Sequence, residues 1–171
     1  MMNEGSVLAL TGRASDATEM LISGISAWRT MGATLLLPLY LPRLASAHAE
    51  LGQFEAAWRC IGEAMNLAET TKEKWCEAEI HRTAGEIELM SRAPDAAKAQ
   101  VYFERALSVA RAQQARSWEL RAAMSMARLW RDQGKRDEAH DLLAPIYGWF
   151  TEGFNTLDLK EAKALLDELR A

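Results

Sequence analysis

The sequence predicts an all-α protein made of repeated helical hairpins, and three observations lead to this prediction. Ala, Leu, Glu, Arg and Met, which favour helices most, dominate the composition. Apolar residues recur at helical spacing along nearly the whole chain. The apolar stripes begin at alanines spaced 40, 42 and 40 residues apart, and such a regular period is typical of helical repeat arrays. These alanines are Ala17, Ala57, Ala99 and Ala139.

Each stripe is preceded by a second predicted helix, so the repeat unit is a hairpin. Small residues 12, 14 and 12 positions before the stripe allow the two helices to approach closely: Ala45, Gly85 (preceded by Ala84) and Ala127. Gly12, Gly52 and Gly134 precede the stripe by five residues and mark the turn. In the remaining repeat Arg92-Ala93-Pro94 replaces the glycine, and Pro94 is expected in the first turn of the next helix.

This register divides the chain into one predicted domain over 1–171. It consists of a partial hairpin over 1–31, complete hairpins over 36–70, 72–113 and 116–150, and a capping helix over 158–170. Asp158 and Glu161 are expected to form a capping box at the start of the last helix, whose polar surface would close the array. The register also places Gly5 in a helix that begins near Met1, so we expect either a fragment of a longer protein or a short form that keeps only the end of an array.

The pattern in 44–64 resembles the tetratricopeptide repeat, and the residues that match are Leu44, Ala45, Gly52, Phe54, Ala57, Ile61 and Ala64. Segments 74–86, 117–132 and 142–169 are similar to the C-terminal repeat region of bacterial multidomain regulators. These regulators carry a class III adenylate/guanylate cyclase or DNA-binding domain and a predicted P-loop ATPase. The resemblance implies a right-handed solenoid with a regulatory role. It covers none of the catalytic segments, so it transfers no activity to this chain.

Composition and charge exclude several classes of protein. With 49% apolar and 26% charged residues among 171, the chain is not globally disordered. A net charge of −4 argues against nucleic acid as a partner. The N-terminal segment lacks the features of a signal peptide, and the most apolar stretch, 33–42, is too short to cross a membrane. Two cysteines without a CxxC motif favour a reducing compartment, so we expect a cytoplasmic protein without a membrane partner.

No catalytic motif is present, so we expect a protein that is not an enzyme and needs no cofactor or metal. The chain has no P-loop, GxGxxG, GxSxG or HExxH sequence. The histidines His48, His81 and His140 lie on different predicted helices, which disfavours a shared metal site. Several glutamates crowd one helix, but Arg82 follows Glu79 by three residues, and ion pairs are therefore a better interpretation than acid–base catalysis. Both cysteines and most of the six tryptophans are expected to pack between helices.

The resemblance implies a concave groove lined by the first helix of each hairpin. The candidate groove residues are Ser46, Glu50, Glu79, Arg82, Glu86, Arg121, Met124, Arg128 and Arg131. Because equivalent positions of neighbouring hairpins lie side by side, the offset of 42 predicts that Glu79 faces Arg121 and that Glu86 faces Arg128. Such pairs would neutralise the arginines within the chain and disfavour an anionic ligand.

The second predicted helix exposes an apolar face that few preceding residues are available to cover. Met20, Ile22 and Ile25 are therefore candidates for self-association as a homodimer, or for docking against an upstream domain. Together these features predict a non-catalytic module for protein–protein or domain–domain interaction. A small-ligand sensor that controls an attached domain is the alternative, and it would require an enclosed pocket with convergent polar groups rather than an open groove.

Overall fold

The structure is a computed structural model that describes residues 2–10 and 12–170, with the backbone alone described for residues 9 and 10. This part of the chain forms nine α-helices and no strand. A short 3₁₀ turn over Lys74–Cys76 leads directly into the fifth helix. The helices are α1 (Met2–Leu10), α2 (Ala14–Thr30), α3 (Leu37–Glu50), α4 (Phe54–Thr71), α5 (Glu77–Met90), α6 (Ala96–Ala112), α7 (Arg116–Asp132), α8 (Arg136–Tyr147) and α9 (Leu157–Arg170).

Consecutive helices pack in pairs, and the pairs are stacked in chain order. The helices α1–α2, α3–α4, α5–α6 and α7–α8 form these pairs, and each even-numbered helix also contacts the odd-numbered helix that follows it. Every odd-numbered helix contacts the next odd-numbered one, from α1 through α9. The prediction of an all-α fold is thus confirmed, and the packing is that of a helical-repeat protein.

The backbone reproduces the period of 40 and 42 residues at both kinds of turn. Within hairpins, Gly12, Gly52 and Gly134 adopt positive φ angles of 75°, 73° and 78°, which confirms that they are turn residues. Between hairpins, Gly32, Lys72 and Gln114 have φ angles of 71°, 63° and 54°. These three residues are again 40 and 42 positions apart, so the numbering offset between repeats is also a structural equivalence.

The turn between α5 and α6 differs from its equivalents and corrects one expectation. Pro94 was expected in the first turn of α6, but that helix begins at Ala96. Asp95 is the N-cap residue, and its carboxylate accepts a hydrogen bond of 3.0 Å from the backbone N–H of Lys98. An aspartate is a strong N-cap because it satisfies a helix donor that has no partner within the helix, so the proline precedes the helix instead.

The core follows the predicted stripes. The four stripe alanines are fully buried, and so are Ala45, Ala84 and Ala127 on the facing helices. Gly85 allows the closest approach between α5 and α6, because a Cβ atom at this position would overlap the ring of Phe103. The apolar stripe and the small residues opposite it therefore determine how each hairpin closes.

None of the six tryptophans is fully buried, but four of them pack against the cores as expected: Trp28, Trp58, Trp118 and Trp130. Trp75 and Trp149 are 43% and 48% exposed. The guanidinium of Arg116 lies 3.1 Å from the ring centre of Trp149, and the ammonium of Lys98 lies 5.3 Å from that of Trp58. Trp58 and Trp149 thus each present a ring face to a cation.

The last helix begins differently from the prediction. Asp158 is the second residue of α9 and not its N-cap, and its carboxylate forms an ion pair of 2.7 Å with Arg121 of α7. The expected capping box is therefore wrong, because the carboxylate meets a stronger donor on the neighbouring helix. Within the described residues, no helix is both long enough and apolar enough to cross a lipid bilayer.

We expect the substitution Gly85→Ala to destabilise the protein by about 1–3 kcal/mol, because the new methyl group overpacks the contact with Phe103. Gly62→Ala in α4 is the matched control, since a Cβ at this helical glycine would meet open space. It should stabilise by about 0.5–1 kcal/mol through helix propensity. Urea denaturation measures both changes, and equal effects of the two substitutions would contradict the close packing of α5 on α6.

Candidate functional site

The candidate site is a set of charged side chains on the odd-numbered helices, centred on Arg82 of α5. Its guanidinium donates two hydrogen bonds of 2.8 Å to the carboxylate of Glu79, and it also contacts Glu86. Both acids lie on the same helix, three residues before and four residues after the arginine, where helical geometry brings side chains together. The expected ion pairing on α5 is therefore present.

Glu79 is the most buried acid of this set, with 9% of its surface exposed. Burial alone would raise the pKa of Glu79, but Arg82, together with Arg121 and Arg43, lowers it below the ordinary value. The pKa of Arg82 is raised, because its pairing with Glu79 and Glu86 outweighs the effect of burial. Glu79 and Arg82 are therefore both charged at neutral pH.

The arginines of α7 connect this set to its neighbours. Arg121 lies 3.6 Å from the Glu79 carboxylate and 2.7 Å from that of Asp158, so it bridges α5 and α9. The predicted contact between Glu79 and Arg121 is thus confirmed. On the other side, Arg43 of α3 donates a hydrogen bond of 2.9 Å to the Ser6 hydroxyl of α1. We call the series Ser6, Arg43, Glu79, Arg121 and Asp158 the polar row, since it supplies one residue from each odd-numbered helix.

The second predicted contact, between Glu86 and Arg128, is wrong. Glu86 instead accepts a hydrogen bond of 2.9 Å from Ser125, which precedes Arg128 by three residues on α7. Arg128 pairs with Glu161 of α9 at 2.8 Å. The two helices therefore do not keep the same register along their whole length, and α9 offers Arg128 a carboxylate on its other side. In the same way Arg131 pairs with Glu168 of α9 at 3.0 Å.

Three further groove candidates have different surroundings. Ser46 is half-buried and Glu50 is exposed at the end of α3. Met124 is only 3% exposed and belongs to the core formed with α6, α8 and α9, so its assignment to the groove is wrong. The sequence analysis missed Arg43 and Ser125, which repeat register alone did not distinguish from their neighbours. It also assigned Asp158 and Glu161 to a cap rather than to ion pairs.

The three candidates for self-association differ in their exposure. Ile22 is 44% exposed and Met20 is half-buried, but Ile25 is 2% exposed. Ile25 lies in the core shared by α2, α3 and α4, so its assignment to an exposed face is wrong. The short helix α1 covers more of α2 than expected, because Gly5 approaches Leu21 closely.

The nucleophilic and metal-binding side chains do not converge. Burial raises the pKa of both Cys60 and Cys76 to about 11, which keeps these thiols protonated. His48 contacts Gln53 at 2.6 Å, and His140 contacts Arg170 at 3.1 Å. Among the residues that the structure describes, no three His, Cys, Asp or Glu side chains are placed to hold a metal ion.

Comparison with known proteins adds no assignment to this geometry. No protein-family model matches the chain, and no curated protein matches its sequence significantly. The functional argument therefore depends on the residues themselves.

The substitution Glu79→Gln should destabilise the protein at pH 7 by about 3 kcal/mol, because it removes the buried carboxylate that two half-buried guanidinium groups share. The folded-state pKa of Glu79 is lowered, so its stabilising effect is complete above its ordinary pKa of 4.5 and is lost as the pH falls through the folded-state pKa. The difference between the wild type and this variant should consequently shrink below about pH 4.5.

Chemical denaturation at a series of pH values measures this difference. Glu55→Gln removes an exposed carboxylate of α4 and is the control, which should follow the wild type throughout. A constant difference between the wild type and Glu79→Gln down to about pH 3, roughly 1.5 units below the ordinary pKa of 4.5, would show that Glu79 is not the titrating group.

Proposed function

We propose that the chain is a non-catalytic module for protein–protein or domain–domain interaction, built as a tetratricopeptide-like, right-handed solenoid with α9 as its cap. We place it in the regulatory part of a bacterial signalling protein in the cytoplasm. Contacts between successive odd-numbered helices support the solenoid, because they form a continuous layer along one side of the stacked hairpins. The sequence resemblance described above supports the regulatory role.

The proposal locates the interaction surface at the N-terminal end of the array. The charges of the polar row are satisfied within the chain, so this row offers little to a charged peptide. In contrast, Ile22 is 44% exposed, and Met31 and Leu35 in the connection from α2 to α3 are 70% and 57% exposed. Three exposed apolar side chains within one stretch of the chain favour a protein contact. This exposed group is the observation that carries the proposal.

The surface of α9 differs from the N-terminal end, which supports its role as a cap. Lys163 and Asp167 form an exposed ion pair of 2.6 Å on this helix. Lys160 and Arg170 are also exposed. Charged side chains at the end of a repeat array keep another hairpin from adding there, as terminal repeats in general require. Apart from Leu157 and Ala164, the exposed side chains of α9 are therefore charged.

We expect the wild-type protein to self-associate as its concentration rises and the double variant Ile22→Glu, Met31→Glu to remain monomeric. Glutamates at these positions keep the surface hydrated and repel each other across a two-fold contact. Sedimentation velocity over a concentration series measures the association, and far-UV circular dichroism checks that helicity is unchanged.

Val101→Glu is the matched control, since Val101 is 63% exposed on α6, away from this end. It should associate like the wild type. A wild type that stays monomeric at the highest concentration reached, or a Val101→Glu variant that loses association equally, would remove the support for an interaction surface at the N-terminal end.

A further inference from the structure

A cleft of about 490 Å³ lies where α4 and α6 flank α5. The helices α4 and α6 form its walls, and α5 with the preceding 3₁₀ turn forms its floor. Its apolar lining comes from Met65, Ala68 and Ile80. Glu69 and Glu77 contribute carboxylates, Lys74 and Arg105 contribute cationic groups, and Asn66 and His81 complete the polar lining. A cavity of this size, in which polar groups converge beside an apolar wall, has the character of a small-ligand site.

The next hairpin shows what the equivalent position holds when it is filled. With the offset of 42 residues, three positions of the next hairpin are equivalent to positions around the cleft: Glu119 corresponds to Glu77, Arg111 to Glu69 and Arg116 to Lys74. Glu119 is 2% exposed, and its carboxylate binds Arg111 at 2.8 Å and Arg116 at 3.7 Å. In that hairpin a buried carboxylate on the first helix is therefore neutralised by a guanidinium from the end of the preceding helix.

The cleft lacks that guanidinium, because Glu69 occupies the position of Arg111. Glu69 is exposed and forms no ion pair with any residue that the structure describes. Glu77 remains 23% exposed, and its nearest cationic partner is Arg105 at the long distance of 3.5 Å. His81 lies 3.7 Å from Glu77, and the buried Nδ1 atom of His81 has no hydrogen-bond partner. Burial lowers the pKa of His81, so this ring adds no charge at neutral pH.

The preceding hairpin closes its equivalent cleft with an ion pair. Arg29 of α2 contacts Glu63 of α4 across a cleft of only about 250 Å³. Arg29 corresponds to Glu69 by the offset of 40, and Glu63 corresponds to Arg105 by the offset of 42. The acid and the base have therefore exchanged positions. Arg105 turns to Glu77 instead of Glu69, so no ion pair spans the larger cleft. An arginine occupies the equivalent position in both neighbouring hairpins, and the cleft of the middle hairpin is larger than that of the preceding one.

We propose that this cleft binds a small organic cation, a guanidinium or a primary amine carried on a short apolar chain. Its charged head occupies the position beside Glu77 that the Arg111 guanidinium occupies beside Glu119. Its apolar chain lies on Met65 and Ile80. Arg105 then shares Glu77 with the ligand, as Arg116 shares Glu119 with Arg111 at 3.7 Å. The cation comes either from a free small molecule or from an arginine side chain of a peptide.

This site is independent of the N-terminal interaction surface, and its test uses different residues. Butylguanidinium is the free probe, N-acetylarginine methylamide is the peptide-like probe, and butyrate tests an anion in their place. Calorimetric titration and amide shifts in NMR spectra of the full chain measure binding. We expect at least one of the two guanidinium probes to bind with shifts confined to α4, α5 and α6, and butyrate not to bind. Binding of the peptide-like probe alone would identify a peptide side chain as the source.

Two variants distinguish the site from general attraction of a cation to an acidic protein. Glu77→Gln should weaken binding by about tenfold or more, because it removes the carboxylate that accepts charge-assisted hydrogen bonds. Glu69→Arg should abolish binding and raise the melting temperature, because it restores the arginine of the neighbouring hairpin within the chain. Glu55→Gln changes the charge on α4 outside the cleft and should bind like the wild type.

Several results would overturn the proposal. These are the absence of binding by both guanidinium probes, butyrate binding as tightly as butylguanidinium, and full affinity in Glu69→Arg. Unchanged affinity in Glu77→Gln would do the same. Since Glu69 is exposed, the Glu69→Arg variant should fold even if Glu77→Gln does not.

Discussion

The arrangement of the odd-numbered helices depends on one buried carboxylate, that of Glu79. A charge removed from water is costly unless it is paired, and its partners must then hold fixed positions. Arg82 pairs with Glu79 on the same helix, while Arg121 approaches it from α7. Apolar contacts between neighbouring helices are not directional, so they permit sliding that a buried ion pair opposes. Glu79 thus contributes what the alanine stripes lack, a preference for one register between hairpins.

The same pairing decides which surfaces remain for other molecules. Asp158, Glu161 and Glu168 of α9 each form an ion pair with an arginine of α7. The charges of these arginines are therefore neutralised within the chain. An ion pair that is already formed has to be broken before it binds a ligand, which makes this row a poor recognition site. The remaining candidates are the exposed apolar group near Ile22 and the outer clefts between even-numbered helices.

Repeat proteins make local differences easy to recognise, because each hairpin is a reference for the next. Glu77 and Glu119 occupy equivalent positions on α5 and α7, yet Glu119 is enclosed by arginines and Glu77 is not. A replacement at one position, Glu69 where the next hairpin has Arg111, explains the open cleft. A fold without repeats offers no such internal comparison, and Glu77 would not be distinguished there from other surface carboxylates.

The sequence by itself determined the helices, the period and the buried stripes, because these are local properties. Periodicity identifies which residues share one face of a helix, and glycines mark three of the turns within hairpins. Periodicity does not identify the neighbouring helix that packs against this face. Ile25 is buried and Met124 belongs to the core because of how adjacent helices pack, and Arg128 finds its partner on α9 for the same reason. Only the tertiary structure decided these contacts, since they join residues that are far apart in the chain.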